Sequence, residues 1–320
     1  MKWSYSAHTT MGRCQRLLAF NHVMASHNAH DPQRREAYIL KQLQHVSAWQ
    51  GSLVHTILST HIVAAVRSAL PLCPGELTMA AQALAREQLA FSAARRYREP
   101  GQTKSAAGAA YCALVEHEHG RDLSPAVLAT VDATLARCFE HLAGQTPFLD
   151  SLYAGSGHVA ETPVYFRLDG ATITATPDLV FARRGGKPTV VDWKVAESET
   201  SDYTRQLHVY ALVLSRCGRW DGVAPHDIDL YEVNLLTDRV TRHPVDAGAL
   251  EDAEDFVYRS VVDMRALLGD GGFAQLDMGE FEVAERPTTC AYCPLGTLCV
   301  RMLTDGGRDA EAQLIQGRLF

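Results

Sequence analysis

The sequence predicts a mixed α/β fold, a small mixed sheet flanked by helices with a helical block placed ahead of it. Three observations carry that expectation. The first half is rich in Ala, Leu and other helix formers, with apolar residues spaced three to four apart. From residue 162 the pattern changes to short β-branched or aromatic runs separated by Gly turns. Beyond residue 200, helical patterns alternate with a further hairpin.

Taken in order, residues 34–48 are rich in helix formers, and residues 52–70 place Leu53, Ile57, Leu58, Ile62 and Val66 on one stripe. Residues 78–97, 103–119 and 125–143 are predicted helices, the last opened by Ser124 as N-cap and Pro125 in the first turn. Residues 144–158, with Gly144, Pro147, Gly155 and Gly157, read as a loop. Strands are predicted at 162–168, 172–174, 179–182 and 189–193, with turns at Asp169-Gly170 and Arg184-Gly185-Gly186. An amphipathic helix follows at 201–216, then a hairpin of 228–236 and 239–243 around Thr237-Asp238, and an acidic helix at 247–268. A Cys-rich tail, 287–303, completes the pattern.

The 320 residues carry 47% hydrophobic and 21% charged side chains, which excludes a disordered chain, a collagen and a coiled-coil rod. The first residues contain no continuous apolar segment of signal-peptide type. The uncharged stretch 51–66 is interrupted by polar residues and is too short to cross a bilayer, so the expectation is a soluble, cytoplasmic protein with no membrane partner. In a reducing compartment its eight Cys serve metal binding or burial rather than disulfides. The net charge of −7 does not exclude a nucleic-acid partner. Residues 246–285 hold eleven acids against two bases, so the remainder of the chain is close to neutral and leaves room for a local basic surface.

The most informative stretch is Thr176-Pro177-Asp178 followed by Asp192-Trp193-Lys194. Asp178 opens one predicted strand, and Asp192 and Lys194 lie two apart near the end of the next, on one face. A hairpin between the strands brings two carboxylates and an ammonium to one sheet edge. Carboxylates suit hard divalent ions such as Mg²⁺ or Mn²⁺. A lysine beside them can orient or help deprotonate a water and offset charge on an attacked phosphate. On the helix that follows, Gln206 and Tyr210 sit four apart on one face. Upstream, His55 follows Gly51 by four residues.

Near the C-terminus, Cys290, Cys293 and Cys299 form C-x2-C-x5-C, a spacing that presents thiolates to one metal. The tail contains no His, and Cys14 is the candidate for a fourth ligand. Four thiolates suit an iron–sulfur cluster or structural Zn²⁺ equally on chemical grounds. Cys73, Cys112, Cys138 and Cys217 lie in apolar helical contexts and are expected to be buried.

Together these residues resemble the PD-(D/E)xK nuclease superfamily, in its RecB-like branch and its Cas4/AddB-type group. The match runs in order through Cys14, Gly51-x-x-x-His55, Pro177-Asp178, Asp192-Trp193-Lys194, Gln206-x-x-x-Tyr210 and the three C-terminal Cys. Gln15 and Leu18 depart from the group's pattern after the first Cys, and Val195 stands where the branch often has Thr or Ser. The resemblance implies a restriction-endonuclease-like core with an N-terminal helical insertion. It implies that His55, Asp178 and Asp192, with the backbone carbonyl of Trp193, bind Mg²⁺ or Mn²⁺. Gly51 would allow close packing, Lys194 would orient the attacking water, and Gln206 and Tyr210 would place the DNA strand. Glu161 is a further acid that the branch would employ. By the same resemblance Cys14, Cys290, Cys293 and Cys299 hold a [4Fe–4S] cluster, with Zn²⁺ the alternative occupant, and staple the N-terminal helix to the tail.

The implied organisation is a helical N-terminal part of the nuclease domain at 1–70, a helical insertion at 71–158, the nuclease core at 159–286 and the iron–sulfur tail at 287–320. Arg95, Arg96 and Arg98 in the insertion form a basic patch suited to DNA phosphates. The implied function is a metal-dependent deoxyribonuclease, an exonuclease acting on single-stranded DNA ends in repair, recombination or antiviral defence. The alternative is a catalytically silent DNA-binding or scaffold subunit. No G-x4-G-K-[ST] pattern occurs, so processing of duplex DNA calls for a helicase or another repair or defence subunit as partner.

Overall fold

The computed structural model describes residues 1–183, 185–197, 202–269 and 272–319. It is a mixed α/β structure, 58% helical, with the predicted sheet-and-helix architecture. The strands are β1 (Lys2–Trp3), β2 (Ser156–Ala160), β3 (Val164–Leu168), β4 (Ala171–Ala175), β5 (Leu179–Ala182), β6 (Pro188–Lys194), β7 (Asp229–Asn234) and β8 (Arg239–His243). They form a three-stranded sheet in the order β1-β4-β3 and a five-stranded sheet in the order β2-β5-β6-β7-β8. No helix among the described residues is long and apolar enough to cross a membrane.

The chain divides into two compact units. The first comprises Met1–Lys2, Val46–Leu89 and Asp122–Tyr258, and the second Trp3–His45, Ala90–Arg121 and Arg259–Phe320.

The first unit is built on β6. Its run P-T-V-V-D-W-K is buried at every position but the last, because it lies between β5 and β7 with both faces covered. β5 and β6 form an antiparallel hairpin with Leu179 opposite Val191. β6 and β7 are parallel, a pairing that requires a crossover. The helix Thr204–Ser215 supplies it, burying Leu207, Val209, Leu212 and Val213 and packing on β3, β4 and β6. The predicted start of this helix at Ser201 lies outside the described residues. So does Arg184 of the predicted turn after β5. The segment 144–158 is not a loop: Thr146–Ala154 is helical, with Pro147 in its first turn, before the chain enters β2. Phe148 from that helix stands edge-on to Trp193 at 5.7 Å. Gly155, just after it, must be glycine, since a Cβ there would sit 2.5 Å from the Phe181 ring.

The second unit centres on an apolar cluster that includes Phe20, Met24, Leu40, Phe91, Tyr97, Leu295, Leu298 and Leu303. Two sequence expectations fail here for one shared reason. Residues 34–48 are not one helix, because Pro32–Leu40 ends before Gln44. Residues 103–119 are not one either, being broken into Lys104–Ala107 and Val115–Glu118 by Gly108 at φ +59° and an extended stretch. Gln44 and Leu114 form an isolated parallel bridge, with Gln44 N–H donating to Ala113 O and Val115 N–H to Gln44 O. A long-range backbone pair thus overrides two local helix preferences.

Candidate active site

Within the first unit, β5, β6, the start of β2–β3 and two helices converge on the predicted carboxylate–lysine group. The hairpin register pairs Leu179 with Val191, so Asp178, one residue before β5, comes to the level of Asp192. Asp178 Oδ2 accepts the Trp193 backbone N–H at 2.6 Å, so the carboxylate is fixed by the edge of the β6 ladder. Its other oxygen, Oδ1, faces His55 Nδ1 at 3.3 Å. His55 comes from the helix Val46–Arg67. Glu161 Oε1 lies 3.7 Å from the same nitrogen. These three residues are a group of metal-type donors within 4.8 Å of one another.

Glu161 occupies the left-handed region at φ +48°, unusual for a residue with a Cβ. Its N–H donates to Asp178 O at 3.1 Å, which holds the turn between β2 and β3 against the start of β5. The strain is kept where it aims a carboxylate at His55. Burial alone would push the His55 pKa down. The bonds to Asp178 and Glu161 outweigh that effect and lift it to about 10.

Asp192 is 2% exposed. Its Oδ2 pairs with Lys194 Nζ, as the two-residue strand period requires, and its Oδ1 accepts from Gln206 Nε2 at 3.3 Å. Burial raises the Asp192 pKa, Lys194 opposes the rise, and the Asp178 charge adds to it. Gln206 also donates to Tyr210 Oη at 2.7 Å, joining the i, i+4 pair into one arm. Lys194 Nζ stands 4.1 Å from the centre of the Tyr203 ring, a contact that the sequence did not single out. All six predicted groups, His55, Asp178, Asp192, Lys194, Gln206 and Tyr210, are therefore brought together, with Trp193 between them. Glu161 joins them more closely than Asp192 joins the His55 group.

One implied detail is corrected. Gly51 does not serve close packing, since a Cβ there would meet nothing within 4 Å. It instead opens onto a groove of about 480 Å³ lined by Ser52, His55, Thr56, Ser59 and Glu161. The missing side chain leaves the approach to His55 clear.

In the second unit, Cys14, Cys290, Cys293 and Cys299 line a single small apolar cavity. Burial pushes the Cys293 thiol up to about 12 and the Cys299 thiol up to about 11, the latter against the pull of Arg16. Arg16 is 2% exposed, donates through Nε to Phe281 O at 2.9 Å and pairs with Glu311. Apolar surroundings that disfavour thiolates reverse their preference when a cation is bound. The four cysteines thus share one apolar cavity with a buried guanidinium beside it. Of the other cysteines, Cys112 and Cys138 are buried as expected, but Cys217 is half-buried and Cys73 is exposed. Cys73 lies in the extended stretch before the helix Pro74–Ala93, not inside a helix.

Arg95, Arg96 and Arg98 also lie in the second unit, and carboxylates face all three. Arg98 binds Glu36 through both Nη atoms and also pairs with Glu118. Arg95 lies 3.4 Å from Glu118, and Arg96 lies 3.9 Å from Glu99 and over the Phe91 ring.

A mixed sheet that sets Asp178 against Asp192-x-Lys194 at the end of a buried hairpin defines the site class of a metal-dependent phosphodiester hydrolase. The family model for the PD-(D/E)XK nuclease superfamily matches residues 2–300, and the chain belongs to that superfamily. A search of curated proteins found no match. Among solved structures, one described as "Crystal structure of SSO0001" is similar over 68% of this chain and 96% of its own, with 13% identity and a TM-score of 0.31. That score is too low to bear on the fold.

Proposed function

We propose that the protein is a RecB-like nuclease of Cas4/AddB type, a metal-dependent DNA exonuclease that acts on single-stranded ends. The observation that carries this reading is the meeting of His55, Glu161 and Asp178 beside the Asp192–Lys194 pair. His55, Glu161, Asp178 and Asp192, with the Trp193 carbonyl, would hold the cation. The donor set fits, because it combines carboxylate oxygens with one imidazole, a mixture that favours Mn²⁺ over Mg²⁺. When bound, the ion supplies Lewis-acid polarisation of a phosphoryl oxygen and a lowered pKa for a coordinated water.

The chain's own residues do the rest. Lys194, held between Asp192 and the Tyr203 ring, directs its N–H groups at the attacking water and at the developing phosphate charge. Gln206 restrains Asp192 and, with Tyr210, positions the strand. The groove beside Gly51 admits the DNA backbone to His55. The four cysteines would carry a [4Fe–4S] cluster as a structural element of the second unit, the resemblance to the Cas4/AddB-type group favouring that choice over Zn²⁺. A helicase partner would deliver ends from duplex DNA.

The deciding experiment is digestion of end-labelled single-stranded and duplex DNA with Mn²⁺, Mg²⁺ or EDTA, wild type beside Asp192→Ala. Shortening of the single strand by wild type alone, and only with metal, is expected. Failure of iron-replete wild-type protein to cut any substrate would overturn the proposal.

A further inference from the structure

The sheet face that carries Asp192 and Lys194 continues across the neighbouring strands of the first unit. β6 and β7 are in parallel register, with Asp192 opposite Glu232 and Lys194 opposite Asn234. Paired residues project to one face, so Glu232 and Asn234 stand one strand over from the carboxylate–lysine pair. On β8, His243 is opposite Leu230, which puts His243 on the same face, diagonal to Glu232.

These three side chains hold the chain that flanks the site. Asn234, 5% exposed, donates through Nδ2 to Ala196 O at 3.0 Å, two residues beyond Lys194. Glu232 Oε2 lies 3.1 Å from His243 Nε2, and His243 Nδ1 lies 3.0 Å from Thr204 Oγ1. The Glu232 and His243 side chains are only 16% and 10% exposed. A carboxylate accepts and cannot donate, so Nε2 donates to Glu232. In the neutral imidazole Nδ1 is then an acceptor, and the Thr204 hydroxyl donates to it. The carboxylate thus fixes the ring, and the ring fixes Thr204. Burying two such groups costs free energy that an apolar pair would not incur, and what the pair supplies is a bond of defined direction.

Thr204 is the first residue of the helix Thr204–Ser215. Just before it, Tyr203 sets its ring 4.1 Å from Lys194 Nζ, and two residues after it, Gln206 donates to Asp192 Oδ1 at 3.3 Å. One turn further along the helix, His208 Nε2 donates to Pro244 O at 2.9 Å, a second tie to the end of β8. We infer that Glu232 and His243 are positioning residues: acting through Thr204, they set where Tyr203 and Gln206 stand against Lys194 and Asp192. The inference rests on the nuclease reading and adds to it a pair that works through another residue rather than on the substrate.

The test is single-strand cleavage by the full-length protein with saturating Mn²⁺, with kcat and KM measured separately. Thr204→Val keeps the shape of the side chain and removes its hydroxyl, and Thr204→Ser keeps the hydroxyl. Thr204→Val should lower kcat roughly 5-fold with KM unchanged, and Thr204→Ser should stay within about 2-fold of wild type. His243→Phe should lower kcat about 10-fold, and adding Thr204→Val to it should cost nothing more, because both changes break the same chain of bonds. If His243→Phe does not fold, the Thr204 pair decides alone. An unchanged kcat in folded Thr204→Val, or an equal loss in Thr204→Ser, beside a wild type that cleaves DNA would overturn this inference and leave the nuclease reading intact. A wild type that cleaves no DNA would overturn both.

Discussion

The two units present opposite solutions to holding charge. In the first, hard oxygen donors stand on strands and are fixed by backbone: Asp178 is tied to the Trp193 N–H and Asp192 shares a strand with Lys194. In the second, soft sulfur donors come from Cys14, between two short helices, and from the helical tail, and they meet only because an apolar cluster gathers them. The first site is legible as local chemistry on a rigid sheet. The second is a long-range closure, in which Cys14 and a C-terminal trio from nearly the other end of the chain line one cavity. This difference teaches that the carboxylate site should survive substitution of its own members as a fold, whereas the cysteine site should not.

The largest expected effect sharpens that contrast. Lys194→Met should lower cleavage by about 10³-fold while leaving the melting temperature within a few degrees, since it removes a positioned proton-handling group. A comparable loss with collapse of the melt would mean that the first site is structural. Cys290→Ala should act in the opposite way. Metal-binding free energy at such a site is folding free energy, so iron content should vanish and the melting temperature fall by about 10 °C. A variant with unchanged melting and full iron would break the comparison.

A smaller effect is expected at Tyr203. Tyr203→Leu removes the ring under Lys194 and should cost about 10-fold in kcat with little change in KM, and Tyr203→Phe should restore it. Equal losses in both variants would point to the hydroxyl instead. The smallest effect concerns Glu118. Burial alone would raise its pKa, but bonds from Arg98 and Tyr97 outweigh this and leave it below the ordinary carboxylate range. The stabilisation it provides is present at neutral pH and lost as pH falls through the folded-state value. Glu118→Gln should therefore cost about 1–2 kcal/mol at pH 7 and converge with wild type only in acid, once the pH has fallen below the folded-state value, read by denaturant melts.

Much of the first site was legible because it depends on period and turn. A two-residue period forces Asp192 and Lys194 onto one face, and a four-residue period does the same for Gln206 and Tyr210. Glu161 was seen as an acid at a strand start, but its positive φ and its approach to His55 depend on a contact between residues over 100 positions apart. Tyr203 gave no signal beyond being aromatic. In the second unit the cysteine spacing was plain, whereas the burial of Arg16 beside Cys299 was not, since an arginine in a polar N-terminal segment reads as surface. The two overlong helices failed at one place, where Gln44 and Leu114 pair across 70 residues and local propensity carries no information about the bridge.

The bond from Trp193 N–H to Asp178 has a consequence for assembly of the chain. Sliding β5 by one residue along β6 would turn alternate side chains to the opposite face and carry Asp178 away from the amide that holds it. Misaligned hairpins would therefore lack the donor set, and a divalent ion would bind only the aligned form. Added during refolding, the ion should raise the yield of correctly registered protein by mass action. The cation would then act as a proofreader of strand alignment before it takes any part in chemistry.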